Sequence, residues 1–290
     1  MIAVFLFPKR QITAYQKTAN TLPQRGISMD SAAETLVTYD LRGKVALIGL
    51  NRPEKRNAVS DRVIEALYLA VCRAQDEAKA AVLWGHGTHF CAGLDLAEHQ
   101  EKPLLGAVRG SRRWHRVFDE MQHGGIPFFS ALHGAVVGGG FEMAATTHVR
   151  VADATAFFGL PEGQRGIFVG GSGSVRIPRL IGHSRMTDMM LTGRTISPEQ
   201  MERWGGVNYV VAEGKAVEKA LELAAIAAEN AEMSNYCILN ALPRIQDMAQ
   251  EEGLWVESMV SAMSSDTPDA KQRLRDFLER RVARLSAPKE

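Results

Sequence analysis

Three consecutive glycines, Gly138-Gly139-Gly140, end the apolar run Leu132-His133-Gly134-Ala135-Val136-Val137 and lead directly into Phe141-Glu142. No other feature of the sequence restricts its fold as strongly. A buried strand must run out, the backbone must approach a neighbour closely where side chains are missing, and a helix must start at once. The junction also has a chemical use. Free N–H groups in a first helical turn point at whatever lies there, which suits an anion or a carbonyl oxygen becoming one. Glu142, in that turn, is either a complement to the helix dipole or an acid or base. A triple glycine is equally compatible with a plain tight turn, so the rest of the chain has to decide.

Short strands alternate with helices on both sides of the junction. Residues 35–41 alternate apolar and polar, Arg42-Gly43 turns, and residues 45–50 are almost wholly apolar, which predicts a hairpin with one strand half exposed and the other buried. A polar loop, 51–58, precedes a helix over 61–79 with Ser60 as N-cap and Val63, Leu67, Val71 and Ala74 as its apolar stripe. A buried strand at 81–84, a loop over 85–96 and a helix over 111–121 lead to the glycine junction, with the following helix ending near Thr147 and a strand at 149–152. This alternation is the α/β class. From Ser184 the pattern is helical, over 184–191, 197–204, 216–231, 235–250 and 268–285, with one strand at 207–211. The expected organisation is an N-terminal extension, 1–28, a core domain, 29–215, and a helical region, 216–290. The extension carries four basic residues and no acidic one and reads as poorly ordered.

Composition narrows the function. With 46% hydrophobic and 23% charged residues the chain is globular, and 34 basic against 33 acidic residues leave a net charge of +1. That gives no field for nucleic acid or an anionic membrane, so an anionic ligand needs a local cluster. No apolar run approaches the ~20 residues needed to span a bilayer. Cys72, Cys91 and Cys237 are odd in number and widely spaced, which points to a reducing, cytoplasmic setting.

Two glutamates, Glu142 and Glu162, each follow an apolar strand and border a backbone turn, where loops gather at one end of a sheet. Adding or removing water across a polarised double bond needs one group for the water proton and another for the carbon proton, and paired carboxylates suit that work. In Phe90-Cys91-Ala92-Gly93-Leu94-Asp95-Leu96, Ala92 and Gly93 are small enough to leave amides open. With the Gly139 amide they would make a two-donor oxyanion hole. A dipole complement at Glu142, a solvated Glu162 and a plain turn capped by Asp95 are the bland alternatives.

Asn51-Arg52-Pro53-Glu54-Lys55-Arg56-Asn57-Ala58, Phe90-Cys91-Ala92-Gly93-Leu94-Asp95-Leu96, Gly138-Gly139-Gly140-Phe141-Glu142 and Leu160-Pro161-Glu162, in this order, resemble the crotonase superfamily and within it the enoyl-CoA hydratases. The resemblance spans roughly residues 34–285 and implies a crotonase-like spiral of ββα units with a helical C-terminal region that assembles trimers, often paired into hexamers. It implies hydration of a 2-enoyl-CoA, as in fatty-acid metabolism, with the amides of Ala92 and Gly139 on the thioester oxygen. Glu142 would handle the water and Glu162 the α-carbon proton; their spacing of twenty positions agrees with the hydratase pattern. Lys55, Arg56, Ala58, Ala92, Gly93, Leu94 and Asp95 would line the CoA portion, and Phe277 and Arg280 would close the site from a neighbouring subunit. CoA arrives as part of the substrate, and no other cofactor and no metal is implied.

Val169 stands where the family commonly has proline before Gly170, which bears on substrate shape more than on reaction type. Arg165 and Phe168 are bulky neighbours of Glu162, and Trp114, Phe118, Met121 and Phe128 are spaced as core residues that could also line an acyl pocket. His86, His89 and Cys91 lack a fourth ligand for a metal, and no Walker A or dinucleotide fingerprint occurs. The rival readings are an enoyl-CoA isomerase, an aromatic acyl-CoA hydratase-lyase, and a non-catalytic acyl-CoA-binding scaffold.

Overall fold

A computed structural model of the chain describes residues 36–100 and 102–281. The expected extension, 1–28, lies outside them, as does the end of the helix expected over 268–285. Eight strands are present among the described residues: β1 (Val37–Arg42), β2 (Val45–Leu50), β3 (Ala80–Gly85), β4 (Phe128–Leu132), β5 (Ala135–Val137), β6 (Val149–Asp153), β7 (Phe157–Gly159) and β8 (Tyr209–Val211). β1 and β2 form the expected antiparallel hairpin, half exposed and fully buried respectively. Beyond it the long sheet runs parallel in the order β1-β2-β3-β4-β6-β8. β5 and β7 pair in a second, short sheet, which Cys91 extends through a parallel bridge to Val136.

The chain alternates between the two sheets and then turns into a helix. β3 is followed by the Cys91 bridge, β4 by β5, and β6 by β7, so the core is a spiral of ββα units. The single strand expected through 132–137 is therefore two strands with a break at Gly134. Its φ is 51°, and a Cβ there would lie 2.1 Å from the Thr88 carbonyl oxygen, so only glycine fits.

The helices among the described residues are α1 (Asp61–Glu77), α2 (Leu96–Gln100), α3 (Leu104–His123), α4 (Gly139–Ala144), α5 (Gly173–Ile181), α6 (His183–Thr192), α7 (Pro198–Arg203), α8 (Ala216–Ala228), α9 (Glu232–Ile245), α10 (Gln250–Ser265) and α11 (Pro268–Leu278). Ser60 caps α1 through its hydroxyl, which accepts from the Val63 N–H, and the buried stripe of α1 faces β1, β2 and α3. Each fully buried Val, Ile or Leu there stabilises the fold by about 1.5–3 kcal/mol. α3 starts seven residues before the expected 111, because Pro103 provides an extended N-cap where no N–H is needed. α4 stops short of Thr147, since the Thr146 and Thr147 hydroxyls donate back to the Met143 and Ala144 carbonyls and compete with the next turn.

α8 lies against the outer face of the long sheet. Its Ala216, Ala220, Ala224 and Ala228 share a buried cluster with Val45, Leu47, Val82, Phe129 and Val151. The expected helical region, 216–290, therefore divides: its first helix belongs to the core, and the helices that stand away from the sheet begin at Glu232. The other face of the sheet carries the larger core, in which Leu67, Phe90, Phe118, Phe128, Phe141 and Phe158 are fully buried. Among the described residues no helix is long and apolar enough to cross a membrane.

Candidate active site

The glycine junction is where the spiral brings its turns together. A Cβ on Gly138 would lie 2.8 Å from Glu162 Oε1, one on Gly139 2.8 Å from the Trp114 ring, and one on Gly140 2.3 Å from the Cys91 carbonyl oxygen. Each glycine therefore makes room for a different neighbour. Glu142, four residues after Gly138, donates its N–H to the Gly138 carbonyl in the first turn of α4 and is 3% exposed. Its Oε1 accepts hydrogen bonds from the Gly171 amide at 2.9 Å and the Gly173 amide at 2.6 Å. Burial pushes this carboxyl up to about 7; the Glu162 charge adds to the rise, and the amide donors oppose it.

Glu162 follows β7 and is 6% exposed. Among the described residues its Oε2 has no hydrogen-bond partner. Burial raises its pKa, against a lowering by its own backbone amide and by Arg165. Two buried carboxyls with raised pKa values, neither in an ion pair among the described residues, mark a candidate functional site.

The amide expected to be open at Ala92 is paired. The Ala92 N–H donates to the Arg56 carbonyl at 2.9 Å, so it is not open. The Leu94 N–H is the open one: Val59 pairs with its two neighbours, donating to the Gly93 carbonyl and accepting from Asp95 N–H. A Cβ on Gly139 would lie 3.4 Å from the Leu94 nitrogen, so the two amides are adjacent. They are also equivalent in register, since each lies three residues beyond one partner of the Cys91–Val136 bridge. Neither N–H meets an acceptor among the described residues, which is the arrangement a developing oxyanion needs.

Leu94, Gly139, Glu142 and Glu162 line one cavity of about 90 Å³, together with Trp114 and the 167–171 segment. Trp114 is thus both core and wall, while Phe118, Met121 and Phe128 are wholly buried. Phe168 stands exposed at the rim. Gly93 takes φ 97° beneath the Val137 carbonyl, where a Cβ would approach to 2.7 Å. Asp95 accepts both Arg52 guanidinium N–H groups at 3.2 Å and so ties the 52–57 loop to this turn. Lys55 and Arg56 are exposed on that loop, and the Ala58 carbonyl accepts from Arg52 at 2.7 Å. Phe277 and Arg280, at the end of α11, do not line the cavity of their own chain. Sequence reasoning passed over Gly171 and Gly173 because they act through amides alone. The only signal was the run Gly170-Gly171-Ser172-Gly173 itself.

Two sheets in a ββα spiral, with paired carboxylates and two free amides facing one cavity, define a crotonase-type site. The enoyl-CoA hydratase/isomerase family model matches residues 40–287, and the chain belongs to that family. A 2,3-dehydroadipyl-CoA hydratase of Escherichia coli is 31% identical over 241 residues, covering 82% of this chain and 94% of the relative. An enoyl-CoA hydratase of Mycobacterium tuberculosis is 29% identical over 260 residues, covering 88% and 97%. A solved chain of enoyl-CoA hydratase type from Rhodopseudomonas palustris superposes with a TM-score of 0.82 at 46% identity, covering 85% of this chain and 95% of that one.

Proposed function

We propose that this protein hydrates a 2-enoyl-CoA thioester to the 3-hydroxyacyl-CoA. The observation that carries the reading is that both carboxylates, Glu142 and Glu162, share a cavity with the two unspent amides of Leu94 and Gly139. The thioester oxygen accepts from both amides. Glu142, fixed through Oε1 by Gly171 and Gly173, takes a proton from water as the water oxygen bonds to C3. The double-bond electrons move toward the thioester, and the two amides hold the enolate oxygen. Glu162 then gives its proton to C2 and the thioester carbonyl re-forms, so one water is added and the two carboxyls exchange protonation states, to be reset through solvent.

The assignment of acid and base follows from the hydrogen bonds. Two amide donors favour the anion at Glu142, and the unpartnered Oε2 of Glu162 suits a carboxylic O–H about to leave. No cofactor beyond the CoA carried by the substrate is needed. Lys55 and Arg56, exposed on the loop that Asp95 ties to the site, would meet the CoA phosphates, and Phe277 and Arg280, which do not line the cavity of their own chain, would close that of a neighbour in a trimer or a dimer of trimers. The free thiols of Cys72, Cys91 and Cys237 fit a cytoplasmic location.

Incubation with short, long and aromatic 2-enoyl-CoA thioesters, read by mass spectrometry, should yield products heavier by one water. Glu142→Gln and Glu162→Gln should each lower turnover by about 10²–10⁴-fold while acyl-CoA still binds. Undiminished hydration by Glu162→Gln would rule out the two-carboxylate mechanism. Double-bond migration in a 3-enoyl-CoA without mass gain would replace hydration by isomerisation, and an inert panel would leave an acyl-CoA-binding scaffold.

A further inference from the structure

Ser172 lies between the two amides that hold Glu142, and its backbone is in the left-handed region at φ 91°. It is buried, and its hydroxyl has no partner among the described residues. A non-glycine residue stays in that conformation only where its surroundings over-determine it. Downstream the constraint is plain: the Ser172 carbonyl accepts from Val175 and Arg176 as α5 begins. Upstream, the Gly170 carbonyl accepts from Ser111 Oγ at 2.6 Å and lies 3.0 Å from His115 Nε2. Ser111 and His115 stand one turn apart on α3, with Trp114 between them packed beside Gly139 and Gly171.

The tautomer of His115 is set by its other nitrogen. His115 Nδ1 lies 3.3 Å from Arg112 Nη1, and a guanidinium can only donate, so Nδ1 accepts and Nε2 carries the proton that faces Gly170. The chain of donors runs from Arg112 to His115 to Gly170, and from the next peptide to Glu142.

We propose that Ser111 and His115 are positioning residues of the reaction: by gripping the Gly170 carbonyl they hold the strained turn at Ser172 so that the Gly171 and Gly173 amides stay aimed at Glu142. The kinetic consequence rests on the hydratase reading, whereas the consequence for the Glu142 carboxyl does not. The charged and titratable groups around Glu142 are Glu162 across the cavity and Arg176 on α5. Those around His115 are Arg112 on its own helix and Arg176 on α5. None of these supplies the two donors on Glu142 Oε1.

The test compares wild type, the double variant Ser111→Ala with His115→Ala, and His115→Gln, whose amide can still donate to Gly170. The Glu142 carboxyl is titrated by infrared spectroscopy, its band assigned by its loss in Glu142→Gln. Weaker amide donors leave the anion less supported, so Glu142 should hold its proton to higher pH in the double variant and return toward wild type in His115→Gln. With a 2-enoyl-CoA substrate, kcat should fall roughly ten- to a hundredfold with little change in KM, and the acid limb of its pH profile should move up. An unshifted Glu142 titration overturns the proposal, including the case in which kcat and Tm both fall and the residues are merely structural. If the double variant does not fold, His115→Ala against His115→Gln gives the same reading. A wild type that hydrates nothing removes the hydratase reading, and the titration still decides the role of the clamp.

Discussion

Burying Glu142 costs the fold stability once the carboxyl ionises. Its carboxyl rises from 4.5 to about 7 on burial, so the folded chain binds that proton more tightly than the unfolded chain does. The stability this contributes is complete below pH 4.5 and is lost as pH rises through about 7, a difference of roughly 3 kcal/mol. Glu142→Gln stays neutral throughout. Urea unfolding should therefore find the variant more stable than wild type at pH 8, with the gap closing at pH 4.5; equal gaps at both values would mean that the carboxyl is not desolvated. Both glutamates are legible in the sequence because each follows an apolar strand and borders a backbone turn. The oxyanion donors were only half legible. Small residues at Ala92 and Gly93 announce an open turn, but which amide escapes pairing depends on backbone register, and the Arg56 carbonyl takes that of Ala92 and leaves Leu94.

At the scale of elements, periodicity worked where a helix has one wet face and failed elsewhere. α1 shows its stripe and its cap, and both are found where expected. α5 went unread because Gly173 opens it, Pro178 sits inside it and the preceding glycines look like loop. α10 is not legible because it has no side-chain N-cap and carries Gly253 in its first turn, and most of its apolar residues prove to face outward. α8 is the reverse case, a helix whose buried face is nothing but alanine at every fourth position. Small side chains let it approach the sheet closely, so extra volume has nowhere to go. Ala220→Leu and Ala224→Leu, both at fully buried positions, should each destabilise the chain by about 1–3 kcal/mol in chemical denaturation. A neutral result would mean that the helix can lift from the sheet without penalty.

For the whole molecule, the helices beyond α8 leave a broad apolar surface. Leu242, Leu254, Trp255, Met259, Met263 and Phe277 are all exposed, Trp255 by 66%. Trp255, Met259 and Met263 recur every fourth residue on α10, and an exposed apolar stripe of this kind suits a subunit interface. Light scattering should give the mass of three or six chains, and Trp255→Glu should shift it toward one; a wild-type monomer would refute the shared site. The extent of this surface was not legible in the sequence, since apolar residues in a helix do not reveal whether their own chain covers them. Leu94 and Gly139 each stand three residues past one partner of the Cys91–Val136 bridge, so main-chain pairing brings the two amides side by side. That placing is set by main chain and holds only while Gly93 and Gly139 stay glycine, since a Cβ on Gly93 would meet the Val137 carbonyl oxygen at 2.7 Å and one on Gly139 the Trp114 ring at 2.8 Å. On the proposed hydration, the side chains lining the cavity can be altered for a different acyl group while the pair of amides meant for the thioester oxygen stays in place.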